Sequence, residues 1–408
     1  MIKILLFVFF MLIMGCKPDY KPENKIKEDV SFLADDKLEG RQTGTEGERK
    51  ASEYIAERFS NLGLEAKGTK DYFQTFSFKP KTDPHQEVNY TVVGNDSTIT
   101  GTNVIGYMDN KAPNTVIIGA HYDHLGYGAE GSLYREEEKA IHNGADDNAS
   151  GVAVMLNLAS KLKNTNKGNN YLFLAFSGEE MGLLGSNYFT KNSTLNLKDV
   201  NYMLNMDMVG RLKQDSTLAV YGVGTSPLLK QVVNSSNARF KIIEKESGTG
   251  PSDHTSFYNS DIPVLHFFTG QHEDYHRPSD DSDKLNYEGM NAISNYIFEI
   301  IKALDDKEKL PFRKTKNESE DVPSFKVGLG VVPDYLFDGK GMRIDGISED
   351  KPAQKAGLQK GDIVIKLGDS AIVDMMSYMR ALASFKEGDK TKVVVDRNGK
   401  VVEAEIEF

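Results

Sequence analysis

One cysteine, Cys16, stands in 408 residues, so no disulfide can form within the chain and its fold must hold by packing alone. No stripe of lysine and arginine is present, and the net charge is −11 with a pI of about 5.4. Both argue against a nucleic-acid-binding surface. No internal repeat is visible, and no apolar run is long enough to cross a bilayer. What remains is ordinary for a globular chain, with 39% hydrophobic and 27% charged residues. The length predicts two or three domains.

The start of the chain is distinctive. Met1-Ile-Lys3 is followed by an unbroken apolar run from Ile4 to Met14, too short to span a membrane and of the length of a signal-peptide core. Ile13-Met14-Gly15-Cys16 resembles a bacterial lipobox, which implies that residues 1–16 are a lipoprotein signal ending at a lipidated Cys16. Lys17 to Glu23 then reads as a polar tether. The expectation is a lipid-anchored protein of the cell envelope, on the periplasmic or cell-surface side of a bacterial membrane.

Patterning beyond the tether predicts an α/β fold. Glu46–Leu62 has helical spacing ending at Gly63, and helices are expected over Asn148–Leu162, from about Gly182 to Thr190, and over Leu285–Leu304. Between them lie short apolar runs, Val116–Ala120, Tyr171–Phe176, Tyr202–Met206 and Pro263–Phe268, the mark of strands buried on both faces. Strands alternating with helices imply a mainly parallel, mixed sheet with helices on both faces, spanning residues 26–304. Residues 305–321 are polar and read as a linker. Residues 322–408 change character, with short β runs around two helices, one of them over Asp374–Phe385, and form a second, β-rich module expected to fold separately.

Six metal-compatible side chains, His121, Asp147, Glu179, Glu180, Asp207 and His276, each follow an expected strand, where ligands bind in such sheets. Two close-set Zn²⁺ ions require this mixture: a histidine and a terminal carboxylate for each ion, a bridging carboxylate, and a spare carboxylate as base. Asp123 lies two residues beyond His121, on the same side of an extended chain. It is placed to accept the free ring N–H and fix the metal-binding tautomer. His124, next to it, is expected to point away. Asp146-Asp147 opens the expected helix; an N-cap needs one acid, and the pair favours Asp147 as a bridge oriented by the helix dipole, with Asp146 supporting it. Adjacent glutamates on a sharp turn face different ways, so one of Glu179 and Glu180 can coordinate while the other holds a proton. Asp207 sits within an apolar strand, where a charge is costly unless coordinated. Tyr275 either directs its hydroxyl at a developing oxyanion or only packs. Together the motifs point to a metallohydrolase.

These motifs, with the entry Leu38-Glu-Gly-Arg-Gln-Thr-Gly-Thr45, resemble the secreted bacterial co-catalytic di-zinc aminopeptidases over about Ile26 to Leu304. The resemblance implies a zinc-exopeptidase-like fold and two Zn²⁺ per chain, with His121 and Asp207 on one, Glu180 and His276 on the other, and Asp147 bridging. It further implies Glu179 as general base, a cis peptide at Asp147–Asn148, peptide substrates, and removal of N-terminal residues through a metal-activated water. Leu64 to Asn114 is too short for the inserted protease-associated domain of many relatives. The second module resembles a PDZ domain, with Gly328, Leu329, Gly330 and Val331 as its carboxylate-binding loop and a C-terminal peptide as its ligand. Two other functions fit parts of the pattern: a glutaminyl cyclase, with one zinc on a similar scaffold, and an inactive peptidase body serving a PDZ-based adaptor. If the N-terminal reading holds, Cys16→Ala moves the protein from the membrane fraction to the soluble fraction without loss of catalysis; retention on salt-washed membranes would sink it.

Overall fold

The computed structural model describes residues 22–79, 90, 98–128, 131–316, 327–334, 336–337, 339–348 and 350–408. The signal segment with Cys16, most of the tether, the end of the linker and the first residues of the second module lie outside this set.

In the first domain the strands are β1 (Glu65–Ala66), β2 (Phe73–Phe78), β3 (Ile99–Met108), β4 (Thr115–His121), β5 (Asn170–Phe176), β6 (Val200–Met206), β7 (Thr217–Tyr221), β8 (Lys241–Lys245) and β9 (Val264–Phe268). Among the described residues they form one nine-stranded sheet in the order β1-β3-β5-β4-β6-β9-β7-β8, with β2 also on β3. The centre, β5-β4-β6-β9, is parallel as expected. Its flanks are antiparallel, β3 on β5 and β7 on β9, so the sheet is mixed.

Burial follows the pleat. Tyr171, Phe173 and Ala175 of β5 face one layer, with Val116, Ile118 and Leu204. That layer is covered by α1 (Pro22–Leu33), α2 (Glu46–Leu62), α3 (Gly151–Leu162), α5 (Leu229–Ser235) and α7 (Tyr287–Leu304). Leu172, Leu174 and Phe176 face the opposite layer, where Phe189 of α4 (Leu184–Lys191) and Phe257 of α6 (His254–Tyr258) pack on them. The second helix shows how sequence sets these boundaries. Thr45 caps its start by accepting from the Glu48 amide, Gly63 ends it in the left-handed region at φ 78°, and Ala51, Ile55 and Phe59 form its buried face. Among the described residues no helix is long and apolar enough to cross a membrane.

The described part of the expected linker lies along the first domain. Leu310 enters the core, and its amide donates to Asn201 Oδ1 at 2.8 Å. The Phe312 and Tyr258 ring centroids are 5.4 Å apart, and the Thr315 amide donates to the Tyr258 hydroxyl at 2.8 Å.

The second domain is a six-stranded antiparallel sheet among the described residues: β10 (Val331–Pro333), β11 (Met342–Ile347), β12 (Ile363–Leu367), β13 (Ser370–Ala371), β14 (Lys390–Arg397) and β15 (Lys400–Glu407). Helices α8 (Pro352–Lys355) and α9 (Met375–Leu382) complete it around its own core of Leu329, Ile344, Val364, Tyr378, Leu382 and Val393. It docks on the loop after β9: Leu336 sits over Gly270, where an added Cβ would come within 2.8 Å of its Cδ1. Lys360 pairs with Glu273 at 2.8 Å and Lys213 with Asp345 at 3.2 Å.

Candidate metal centre

The six expected side chains converge beyond the carboxyl ends of the parallel strands. His121 closes β4, Glu179 and Glu180 follow β5, Asp207 follows β6, and His276 lies on the loop after β9. Asp147 stands at their midpoint. His121 Nε2 is 3.3 Å from Asp147 Oδ1 and 3.4 Å from Asp207 Oδ1. His276 Nε2 is 3.2 Å from Asp147 Oδ2 and 3.3 Å from Glu180 Oε2. The two oxygens of one carboxylate therefore face two separate histidine–carboxylate pairs. Two donors that share a tetrahedral Zn²⁺, each about 2.0–2.1 Å from it, are separated by about 3.3 Å. The residues fit the metal, and Asp147 fits the bridge.

Electrostatics asks for the same cations. Burial disfavours a charged His121, yet Asp207 and Glu179 outweigh it and hold its pKa well above the ordinary value. At His276 burial is likewise overcome by Glu180 and Asp147, and the pKa rises to about 11. Carboxylates this close favour positive charge among them and raise the pKa of any member left without it. The adjacent glutamates diverge. Glu179 is pushed well above the usual carboxylate range, by burial first and then by Asp207, Glu180 and Asp253, with His121 opposing. Burial and Asp147 would also raise Glu180, but His276 and His124 bring it down to about 2. The two neighbours therefore sit on opposite sides of the ordinary carboxylate range. Tyr275 stacks on His276 with ring centroids 3.8 Å apart. Burial, then the surrounding carboxylates, keep its hydroxyl protonated.

Several supporting roles differ from expectation. The third helix begins at Gly151, so Asp147 and Asn148, with non-helical dihedrals, precede it rather than open it. The backbone of Asp147 is held by Asp280, whose Oδ2 accepts from the amides of Asp146 and Asp147 at 3.0 and 3.1 Å. The Asp147–Asn148 peptide is cis. Asp123 does face the free ring nitrogen of His121, its carboxylate 3.7 Å from Nδ1 and its carbonyl oxygen closer, at 3.3 Å. That carboxylate accepts from the Glu179 amide at 3.1 Å and from Thr43 Oγ1 at 3.0 Å, so it fixes the turn carrying Glu179. His124 does not point away. Its Nδ1 lies 2.7 Å from Glu180 Oε1, leaving Oε2 for the centre. Gly144 makes room for this, since a Cβ there would fall 2.5 Å from the His124 ring.

Asp146 supports the site across a distance. Its buried carboxylate accepts from the Gly210 amide at 2.6 Å and lies 3.1 Å from His272 Nε2, tying the Asp207 loop to the His276 loop. Met208 and His276, at φ 51° and 54°, both occupy the left-handed region that costs a residue with a Cβ. Arg41 escaped sequence reasoning as a functional residue, although it sits in the Leu38–Thr45 entry. It is fully buried and donates to the carbonyls of Tyr122 (2.7 Å), Asn143 (2.6 Å) and Gly144 (3.0 Å), and also to Leu33. One guanidinium thus joins the His121 loop to the Asp147 loop. Gly328, Leu329, Gly330 and Val331 do not line the metal cleft; the Leu329 and Gly330 carbonyls accept from the amides of Ala353 and Ser348, both at 2.8 Å.

Comparison with known proteins agrees with this geometry. Residues 103–301 match the model of peptidase family M28, and residues 313–408 match that of the PDZ domain. Aminopeptidase YwaD of Bacillus subtilis is 29% identical over 226 residues, 52% of this chain and 46% of that protein. The chain spans about half the length of the curated relatives it matches. Among solved structures, a zinc aminopeptidase from Bacillus subtilis superposes with a TM-score of 0.55 at 17% identity, covering 72% of this chain and 98% of that one. A glutaminyl cyclase from Porphyromonas gingivalis superposes at 0.53 and 17% identity, covering 69% and 98%.

Arg41→Ala should lower stability by about 3–5 kcal/mol, because buried carbonyls lose a charged partner. Denaturant titration and metal analysis should show lower stability and weaker metal retention together. Arg41→Lys should not restore either, since one ammonium cannot match the forked donors.

Proposed function

We propose that this chain, whose first domain is of peptidase family M28 and whose second is a PDZ domain, is a two-zinc aminopeptidase that removes N-terminal residues from peptides. The observation that carries the reading is the division of Asp147, with one oxygen toward His121 and Asp207 and the other toward His276 and Glu180. Bound zinc supplies Lewis acidity toward a carbonyl oxygen and makes water nucleophilic at neutral pH. The protein does the rest. Glu179, with no ligand duty and a raised pKa, takes the proton of the attacking water and returns it to the departing amine. Tyr275 donates its hydroxyl to the carbonyl oxygen as charge builds there. Ionised Glu180 and Asp147 hold their positions through His124 and Asp280.

A glutaminyl cyclase with one zinc shares the scaffold, but the His121–Asp207 and His276–Glu180 pairs are both complete, which favours two metals and hydrolysis. An inactive adaptor has no use for Glu179 held by Asp123. The N-terminal apolar run and Cys16 support a lipid anchor that places the enzyme at the cell envelope.

Plasma-emission analysis should find two zincs per chain; one would favour the cyclase and none the adaptor. Chelation should abolish hydrolysis of aminoacyl substrates and Zn²⁺ should restore it. Glu179→Gln is expected to keep the metal and lower kcat by about 10²-fold or more. A nearly normal kcat would remove Glu179 from its role. Asp147→Ala should instead lose both ions, seen as metal content near zero after dialysis.

A further inference from the structure

Asp147, Glu179, Glu180 and Asp207 lie on one side of a cleft of about 840 Å³, and the opposite wall belongs to the second domain. That volume falls within the range that holds a small organic ligand, here a short peptide. The first domain offers Tyr221 and Phe268, while the second offers Phe337 and the start of α9 with Met375, Met376 and Met379. The helix is split by function. Tyr378, Ala381 and Leu382 enter the core of the second domain, and Met375 packs partly against it. Met376 and Met379 belong to no core cluster, are half-buried, and line the cleft. The capping of α9 by Asp374, whose carboxylate accepts from the Ser377 amide at 2.7 Å, holds that first turn in place.

The docking of the two domains fixes this wall relative to the metal ligands. Leu336 on Gly270 and Lys360 on Glu273 both contact the loop that carries Tyr275 and His276. The outer edge of β10, which ends at Pro333 just before the cleft-lining Asp334, has no strand partner among the described residues. A peptide whose first carbonyl is at the metal ligands extends its remaining residues into this cleft, which the start of α9 also lines.

We propose that the PDZ domain completes the substrate site of the peptidase: Met376 and Met379 select the residue that follows the scissile bond, and the preferred substrates are short peptides with an apolar second residue. This deepens the aminopeptidase reading and rests on it. Two neighbouring thioethers form an apolar but adaptable surface, suited to several aliphatic and aromatic side chains rather than one. The role assigned is specificity, since a thioether offers the reaction neither a proton nor a hard ligand for zinc.

The test compares leucinamide, which has no second residue, with Leu-Leu-Gly on the full-length zinc-loaded protein. In the Met376→Ala/Met379→Ala variant the ratio of kcat/KM for the tripeptide to that for the amide should fall about tenfold, the scale set by lost apolar contacts in a pocket. An unchanged ratio, including a parallel loss on both substrates, overturns the proposal. Failure of the wild-type protein to cleave either substrate would count against the aminopeptidase reading instead. A second measurement does not depend on turnover. In Glu179→Gln protein, a tripeptide with a diazirine-bearing second residue should label Met376 or Met379, mapped by mass spectrometry. Labelling confined to the first domain overturns the proposal.

Discussion

Carboxylates Asp147, Glu179, Glu180 and Asp207 share a buried space with two imidazoles, and their mutual repulsion is the constraint on which the first domain is built. Protonation of Glu179 and of the two imidazoles relieves such a set, and so do bound cations, provided each ligand loop is held where the cations need it. The braces are polar and deep. Arg41 joins the His121 and Asp147 loops, Asp280 holds the Asp147 backbone, and Asp146 joins the Asp207 and His276 loops. Arg41 itself illustrates the balance: burial lowers its pKa to about 10, while Asp123, Asp147 and Asp280 push back. An ion network of this kind supports the outer side of a metal site as the ligands support the inner side.

The parallel strands explain why these loops meet. β4, β5 and β6 run the same way and are buried along their length, so their carboxyl ends bring His121, Glu179, Glu180 and Asp207 to one rim. The antiparallel flanks add no ligands, but they extend the sheet to the region where the second domain docks. That docking rests on a few ion pairs between partly exposed groups, each weak by itself, and on one leucine over a glycine. The joint therefore belongs with the cleft that both domains line more than with the stability of either core.

Donor chemistry and strand-end placement are local properties, so the order and identity of the six ligand candidates, the four buried strands and the change of character near residue 305 could be read along the chain. The polar strands were harder. β2 and β8 mix apolar with Gln, Thr, Lys and Glu residues, and only pairing with β3 and β7 makes them strands. The expected start of the third helix at Asn148 failed for a related reason. Helical spacing continues through Asp147 and Asn148, but their side chains and amides are committed elsewhere: Asn148 donates to the Met206 carbonyl at 3.0 Å. The inward turn of His124 had no local signal, since alternation along an extended chain places it opposite Asp123.

Sequence alone determined which donors exist and in what order, because these are local properties, and its motifs carried the resemblance that implied a peptidase-like body before a PDZ-like module. Tertiary structure decided that Asp147 divides its oxygens between two pairs, that Asp123 serves the Glu179 turn as well as His121, and that the described part of the expected linker packs on the first domain. It also decided that α9 faces the metal cleft. Each of these depends on groups far apart in the chain meeting in a space with little water, where a carboxylate must take whichever donor the fold brings to it.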